Sequence, residues 1–539
     1  MCGILGFASK KLIKNKDELT LGIDRLNHRG PDDTGEWWSK DGHVGFAHKR
    51  LSIVDLTIKG HQPMVNSTGR YTIVFNGEIY NYLELFEKLS LIGYEFKSKT
   101  DTEVILAAYI EWGEKCPIFL NGMFAFSIYD SVKKIIFVSR DRAGEKPLYY
   151  QFNNGVFRFA SELKALLINQ SLSQKTNLQA LDCFLSMGFV PGRRCILDGF
   201  NKLPAAHNLI FNMEDSTISI NRYWDLPSCD NHNYSKQSLS GELEVLLENS
   251  VKRQLSADVP VGILLSGGVD SSLITAMASR HSNQLKTFTV RFPDQKDFDE
   301  TIHARRISEH FGTEHFELEA LPVDTDFLFK LARQFDEPII DSSIIPMFMV
   351  SELVQKHCKV VLGGDGGDEL FGGYEHYSRL LWIKKYSKFI PESIQKSAIL
   401  IADKAMPIGM KGKNWISSFN YNLNTEVPLI ANYFDRKYRE QLMRSFFLDW
   451  ELSADDIRSN LTPKNKELLQ RATRMDFYNY LAEDILVKVD RASMANSLEV
   501  RAPFLDKNLI EFAFNRVPSN FKATTVDKKI LLKNLAIRI

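Results

Sequence analysis

The chain has 539 residues, 44% of them hydrophobic and 25% charged, with 67 basic side chains balanced by 67 acidic ones. That length exceeds one core and asks for two or more domains of ~100–200 residues, while the charge balance excludes bulk affinity for nucleic acid or anionic membrane. No apolar run nears the ~18 residues of a membrane helix and the N-terminus lacks the features of a signal peptide, so a cytoplasmic protein with no nucleic-acid or membrane partner is expected.

The first element opens Met1-Cys2-Gly3-Ile4-Leu5-Gly6-Phe7. A methionine ahead of so small a side chain is normally removed, which leaves a thiol and a free α-amine together on Cys2. An amine titrating near ~7.7–8.0 can take the thiol's proton and return it to a leaving amine. The alternative is a buried, inert cysteine, since free cysteine is among the most buried residue types. Cys116, Cys183, Cys195, Cys229 and Cys358 show no CxxC spacing, and HExxH or finger patterns are absent from the sequence. Neither a disulfide framework nor a zinc site is expected.

Over the first ~200 residues, short alternating or apolar runs at 71–75, 124–129, 134–138 and 156–160 predict antiparallel sheets with few helices. A polar stretch from Asp225 to Ser240 reads as linker. The expected division is a first domain over 2–210, a linker over 211–240 and a second domain over 241–539. In the second, strands at 261–265, 286–292, 315–318 and 360–362 alternate with helices at 271–280 and 300–311. Such alternation predicts a parallel sheet with helices on both faces and ligands outside the carboxyl ends of its strands. Beyond Tyr374 the pattern is mostly helical.

The strand Val261-Gly262-Ile263-Leu264-Leu265 runs directly into Ser266-Gly267-Gly268-Val269-Asp270-Ser271-Ser272. Adjacent glycines let backbone approach a ligand, and Ser271, Ser272 and the first-turn amides offer donors to an anion such as phosphate. The loop lacks the GK[ST] ending, hence a lysine that follows a terminal phosphate in transfer. Asp270 suits a magnesium ion bridging phosphates instead. A plain strand-to-helix connection is an equal reading on spacing alone. The SGGxDSS string, however, resembles the signature of the ATP-pyrophosphatase family, whose members cleave ATP to AMP and pyrophosphate and so activate a carboxylate or carbonyl as an adenylate.

A second cluster, Gly363-Gly364-Asp365-Gly366-Gly367-Asp368-Glu369, ends the strand at 359–362. Its close-set carboxylates would repel one another without a cation, which magnesium pyrophosphate supplies. A calcium-binding or solvated turn is the alternative.

With these features the whole chain resembles a glutamine-hydrolysing asparagine synthetase. Its first half resembles a class II glutamine amidotransferase in Arg29-Gly30-Pro31-Asp32, Arg50-Leu51-Ser52-Ile53-Val54-Asp55, Phe75-Asn76-Gly77-Glu78-Ile79-Tyr80-Asn81 and Asp101-Thr102-Glu103. The second half resembles the synthetase domain also at Val487-Lys488-Val489-Asp490-Arg491-Ala492-Ser493-Met494 and Leu498-Glu499-Val500-Arg501-Ala502-Pro503-Phe504-Leu505-Asp506. The resemblance implies an α/β with α+β fold: an N-terminal αββα sandwich of the Ntn-hydrolase kind and a C-terminal parallel-sheet ATP-pyrophosphatase domain. It also implies the substrates glutamine, ATP and aspartate or a related small carboxylate, with Mg2+ as cofactor and an internal ammonia channel. The oligomeric state stays open, a homodimer being one option.

Residue by residue, Cys2 becomes the nucleophile. Arg50 is suited to grip the α-carboxylate of glutamine, and Glu78 and Asp101 to receive its α-ammonium. Leu51, Ile53 and Val54 line the same site, and the Asn76 side chain and Gly77 amide face the oxyanion. Each of these charges alone could equally be a surface ion pair. In the second half the resemblance places ATP against Leu264, Val290, Gly363 and Gly364, with Ser266, Gly267, Gly268, Asp270, Ser271 and Ser272 around the pyrophosphate. Asp270 and Asp368 fall at the metal position, and Asp341, Ser342 and Ser343 in the acceptor region, whose hydroxyls and carboxylate suit an amino acid or a sugar acid. Lys488 and Arg491 could counter phosphate charge or form structural ion pairs.

Two departures stand out. Asp365 occupies a position where many members carry glutamate, the residue implicated as base in ammonia's attack on the adenylate. Residues 528–536 look like the start of an amphipathic helix, and the sequence ends at Ile539, before the basic loop with which the family continues. A truncated chain, a substitute lysine or an impaired synthetase beside an intact glutaminase are the readings of that end. Rival functions are amidation of another carboxylate, such as a uronic acid in polysaccharide synthesis, and a scaffold that only binds glutamine. The β-lactam synthetase branch shares the architecture but lacks the N-terminal nucleophile, so Cys2 counts against it.

Overall fold

The computed structural model describes residues 1–168, 174–228, 234–282, 284–291, 299–320, 323–407, 410, 412–420, 422–424, 433–445, 453–462 and 466–539. Its N-terminal strands are β1 (Gly3–Ser9), β2 (Asp33–Trp38), β3 (Val44–Arg50), β4 (Met64–Val65), β5 (Tyr71–Ile79), β6 (Gly122–Asp130), β7 (Ile135–Arg140), β8 (Tyr149–Asn153), β9 (Val156–Ala160), β10 (Phe200–Lys202), β11 (His207–Asn212) and β12 (Thr217–Arg222). They form two six-stranded antiparallel sheets, ordered β10-β8-β9-β1-β3-β2 and β12-β11-β7-β6-β5-β4.

Period-2 alternation explains the layering, because successive side chains of a strand point to opposite faces. In β6, Phe124, Phe126 and Ile128 pack with Val104, Ile105 and Ala108 of the helix Asp101–Trp112. Ala125 and Tyr129 of the same strand join Ile4, Phe46 and Phe159 of the other sheet. On that sheet's far side Leu5, Phe7 and Ala47 lie under Leu19 and Ile23 of the helix Asp17–Asp24. The order helix, sheet, sheet, helix is the αββα sandwich.

The second sheet runs on past residue 210, where the sequence reading ended the domain. β12 pairs with β11 from Thr217 to Arg222. Its Thr217, Ser219 and Asn221 alternate with Ile218 and Ile220 on a largely exposed edge, a half-polar signal that blends into the polar stretch after it. Part of that stretch, 229–233, lies outside the described residues. The next helix, Lys236–Gln254, starts where the Ser235 hydroxyl accepts the Ser238 amide.

The C-terminal part contains β13 (Val261–Leu264), β14 (Lys286–Arg291), β15 (Glu314–Glu319), β16 (Val360–Leu362) and β17 (Glu499–Arg501), all parallel and ordered β15-β14-β13-β16-β17. The expected end of β14 at Phe292 lies outside the described residues. One face of the sheet carries the helices Lys236–Gln254, Val269–Ser279 and Ile530–Arg538, through Leu243, Leu247, Ile274, Met277, Leu531 and Leu535. The other packs Phe288, Val361 and Val500 against Val354 and Val489. Strand order reverses around β13, so the loops after β13 and β16 flank a crevice, the usual ligand position in such sheets. No helix among the described residues is long and apolar enough to cross a membrane.

The two parts meet through buried charges. Arg29 reaches the two oxygens of Asp490 at 2.8 and 2.8 Å and Glu162 at 2.7 Å. Arg491 pairs with Glu162 at 2.8 Å and Asp336 at 3.4 Å, away from the phosphate loops. All five side chains are buried. Arg29→Met is expected to cost about 3–5 kcal/mol, because it takes the bidentate partner from the buried Asp490 carboxylate while Glu162 keeps Arg491; a drop in Tm or in denaturant midpoint reads the loss.

Candidate active sites

At the start of β1 the Cys2 amide donates to Asn76 Oδ1 at 2.9 Å. Asn76 lies in β5, fully buried, and its Nδ2 has no partner among the described residues. Beside it Gly77 has φ +154°, and a Cβ there would stand 2.1 Å from the Met123 carbonyl oxygen. An unspent amide donor and a backbone stripped of side chain therefore face the thiol's neighbourhood.

Arg50 ends β3, and its guanidinium donates to the carbonyls of Val54, Asp55 and Thr57 at 3.3, 2.6 and 3.0 Å. Three of its five donors are thus used to fix the fork, which leaves two for a ligand. Asp101, first in its helix, accepts the Ile79 amide at 3.0 Å, and burial pushes its carboxyl up to about 6. Burial and the neighbouring Asp101 push the Glu78 carboxyl well up, although Arg501 lies 3.4 Å away. Burial also raises the Cys2 thiol, against the pull of the nearby N-terminal charge and Arg50.

Arg50, Leu51, Ile53, Val54, Gly77, Glu78 and Asp101 line one pocket with Met1 and Cys2. The space between them is about 40 Å³, and Met1 packs with Leu51, Ile53, Tyr80 and Met123. Its ammonium is buried against Glu499 at 2.8 Å, 498 residues away in sequence. Glu499 in turn accepts from Arg501 at 2.7 Å. Sequence reasoning missed these two second-domain residues, and it missed Gln62 and Thr102, whose side chains bond each other at 3.2 Å in the pocket wall.

A larger cavity of about 590 Å³ opens between the loops after β13 and β16. Leu264, Ser266, Gly268, Asp270, Ser271, Val290, Gly363, Gly364, Asp365, Asp368 and Ser343 line it. Gly267 and Ser272 stand in the loop but off the wall. Gly267 has φ +79°, and a Cβ there would meet that of His303 at 2.5 Å, so the turn admits only glycine without strain. The Ser272 amide closes the first helical turn onto the Gly268 carbonyl at 3.0 Å.

Asp270 and Asp368 converge on Lys529, whose Nζ lies 2.5 and 2.8 Å from them. Convergence requires Gly373, where a Cβ would stand 1.8 Å from Asp368 Oδ1. Burial pushes Asp270 up to about 6 despite Lys529, and its Oδ1 is buried without a partner among the described residues. Burial works against the Lys529 charge, yet Asp270 and Asp368 hold its ammonium above the usual range. Lys529 also has φ +51°, a strained backbone of the kind that collects at functional sites. The sequence reading treated it only as the opening of an amphipathic helix.

Asp365 projects into the cavity, its carboxyl raised by burial with Lys488 opposing. Glu369 accepts the Tyr374 hydroxyl at 2.6 Å, and burial pushes it up to about 8. Ser343 faces the large cavity, whereas Asp341 and Ser342 face an adjoining chamber of about 300 Å³. Lys488 joins the two, bonding Asp341 Oδ2 at 2.9 Å and Ser343 Oγ at 2.7 Å.

Residues 1–224 match a family model described as a glutamine amidotransferase domain, and residues 242–539 one described as asparagine synthase. The chain is 35% identical to a glutamine-hydrolyzing asparagine synthetase 1 of Bacillus subtilis strain 168, over 99% of its own length and 84% of that protein's. It is 35% identical to a putative glutamine-hydrolyzing asparagine synthetase 2 of Methanocaldococcus jannaschii, over 94% of its length and 100% of that protein's. It is 28% identical to Amidase chry2 of Gibberella zeae, with 97% and 83% covered.

Proposed function

Because the chain belongs to the glutamine-hydrolysing asparagine synthetase family, a class of ATP-dependent ligases, we propose that it takes ammonia from glutamine at Cys2 and amidates aspartate to asparagine through a β-aspartyl adenylate. The observation that carries the reading is β17. Its Glu499 touches the cysteine pocket, while the Arg501 carbonyl accepts the Gly363 amide at 2.8 Å beside the nucleotide cavity.

Loss of Met1 turns the Cys2 amide into an amine and widens the pocket that Met1 lines. The amine then relays the thiol's proton while sulfur attacks the side-chain amide carbon. Asn76 Nδ2 and the Gly77 amide stabilise the oxyanion; ammonia leaves, and water cleaves the thioester to glutamate. The two free donors of Arg50 take the α-carboxylate, and Glu78 and Asp101 the α-ammonium.

These two acids serve only when ionised. As pH falls through about 6, Asp101 takes a proton, so the KM for glutamine should rise on the acid side while kcat changes less. Asp101→Asn should raise that KM about 10–100-fold and flatten its pH dependence; steady-state kinetics at several pH values checks both.

In the second cavity Leu264, Val290 and Gly364 flank the adenosine, and Ser266, Ser271 and the loop amides face the phosphates. The orphaned Asp270 Oδ1, with Asp368, offers the hard oxygen donors that Mg2+ takes alongside phosphates. Bound there, the ion would offset the charge of the departing pyrophosphate. Lys529 turns from its two aspartates onto those phosphates, and the acceptor carboxylate attacks the α-phosphorus. Asp365, its proton affinity raised, receives a proton from ammonia as it displaces AMP.

Pyrophosphate release measured with a panel of acids tests the reading. Stimulation by aspartate with asparagine formed in step supports it; stimulation by a uronic acid and none by aspartate overturns it.

A further inference from the structure

β17 turns two side chains toward the first domain. Glu499 and Arg501 are two residues apart, so they leave the strand on the same face, and both are fully buried. The Arg501 guanidinium is fixed from its own domain: Nη1 donates to the carbonyls of Gln254 and Ser256 at 2.7 and 2.8 Å, and Nε donates to Glu499 Oε1 at 2.7 Å. That bond spends one carboxylate oxygen. The other, Oε2, faces the cysteine pocket and holds the Met1 ammonium at 2.8 Å. A buried carboxylate is costly to leave half paired.

Removal of Met1 takes that ammonium away and in the same event makes a new amine on the next residue. Consecutive Cα atoms are about 3.8 Å apart, so Glu499 Oε2 reaches the Cys2 nitrogen directly or through one water in the place of the Met1 nitrogen. A neutral amine has two N–H bonds and one lone pair. The Cys2 nitrogen already donates to Asn76 Oδ1 at 2.9 Å. With its second N–H on Glu499, only the lone pair is left for the thiol proton. The other titratable groups around Glu499 are Arg501 on its own strand and Glu78, Tyr80, Asp101 and Glu145 of the first domain, while Arg50 faces Cys2.

We propose that Glu499 is a positioning residue of the glutaminase, supplied by the second domain: its Oε2 accepts from the Cys2 α-amine of the processed chain and turns the amine's lone pair to the thiol. The proton balance closes within the pair. The thiol proton passes to the amine as sulfur bonds to the amide carbon of glutamine, the ammonium so formed rests against Glu499, and the same proton leaves with ammonia when the carbon–nitrogen bond breaks. This rests on the role of Cys2 proposed above and adds to it a residue from outside the glutaminase domain.

The test uses the full chain, with loss of Met1 confirmed by mass spectrometry and with glutamate release and ammonia-supported pyrophosphate release as separate readouts. Glu499→Gln keeps an acceptor for Arg501 but turns a donor to the amine. Its kcat for glutamate release should fall about 10–100-fold, part of what a general base contributes, with KM for glutamine within about twofold. A carboxylate favours the charged amine, so without it the acid limb of kcat should move to lower pH by about one pH unit. Glu499→Asp keeps the charge on a shorter arm: it should lose less kcat with the limb in place, and it carries the test if the amide variant fails to fold. Ammonia-supported pyrophosphate release should match the parent in both. An unchanged kcat in the folded variants, or a raised KM with the acid limb unmoved in Glu499→Gln, overturns the role of Glu499 and leaves the amidation reading standing. A parent enzyme that releases no glutamate from glutamine overturns the role of Cys2 and that of Glu499 with it.

Discussion

Cys2→Ala should lower glutamine-dependent asparagine formation by about 10⁴-fold or more, as removal of a covalent nucleophile does, while formation supported by added ammonium salt stays within about twofold. The split follows from where the two sites lie. Cys2 is buried against Asn76, and its pocket is walled by Arg50, Gly77 and Asp101. Nothing in that set lines the nucleotide cavity. Glutamate release by coupled assay and pyrophosphate release with ammonia read the two halves separately. Loss of both together would contradict the assignment, as would glutaminase that survives the change. A protein that retains Met1, checked by mass spectrometry, should behave like Cys2→Ala: its Cys2 nitrogen is an amide, and the Met1 ammonium is held on the pocket wall by Glu499.

The parts of this site that could be read from sequence are those that a local string encodes. Asn76 and Gly77 are adjacent on β5, so one string delivers both oxyanion donors. Likewise the glycines around Asp270 and Asp368 announce backbone that must come close to something, and Gly373 shows what: the Asp368 carboxylate itself. What escaped were contacts made by the fold. Glu499 and Arg501 stand in a string that points to the second domain, and only the parallel sheet, which lays their strand against β16, brings them to the Cys2 pocket. β12 escaped because its outward polar residues look like linker. The π-helical turn at Phe477–Ile485 escaped because its sequence is periodic enough for an ordinary helix, and the wider pitch is a property of the folded backbone.

Lys529 was missed for the same reason, and its replacement carries the second large effect. Lys529→Met should reduce aspartate-stimulated pyrophosphate release about 10³-fold, the scale of losing a preorganised charge at a developing anion, with glutamate release unchanged. The lysine is positioned before ATP arrives. Its backbone sits at φ +51°, its ammonium is clamped by Asp270 and Asp368, and Leu531 and Leu535 bury the helix that follows it. Methionine keeps the chain length and the packing but supplies no charge for the phosphates. It also leaves Asp270 and Asp368 facing each other, so the variant should bind ATP without metal more weakly than the parent and depend more steeply on magnesium concentration. Lys533→Met is the matched control, since Lys533 pairs with Asp527 in a largely exposed setting and surface pairs of that kind contribute little. Equal losses from the two changes would mean that the effect lies in the helix, not in the ammonium between the aspartates.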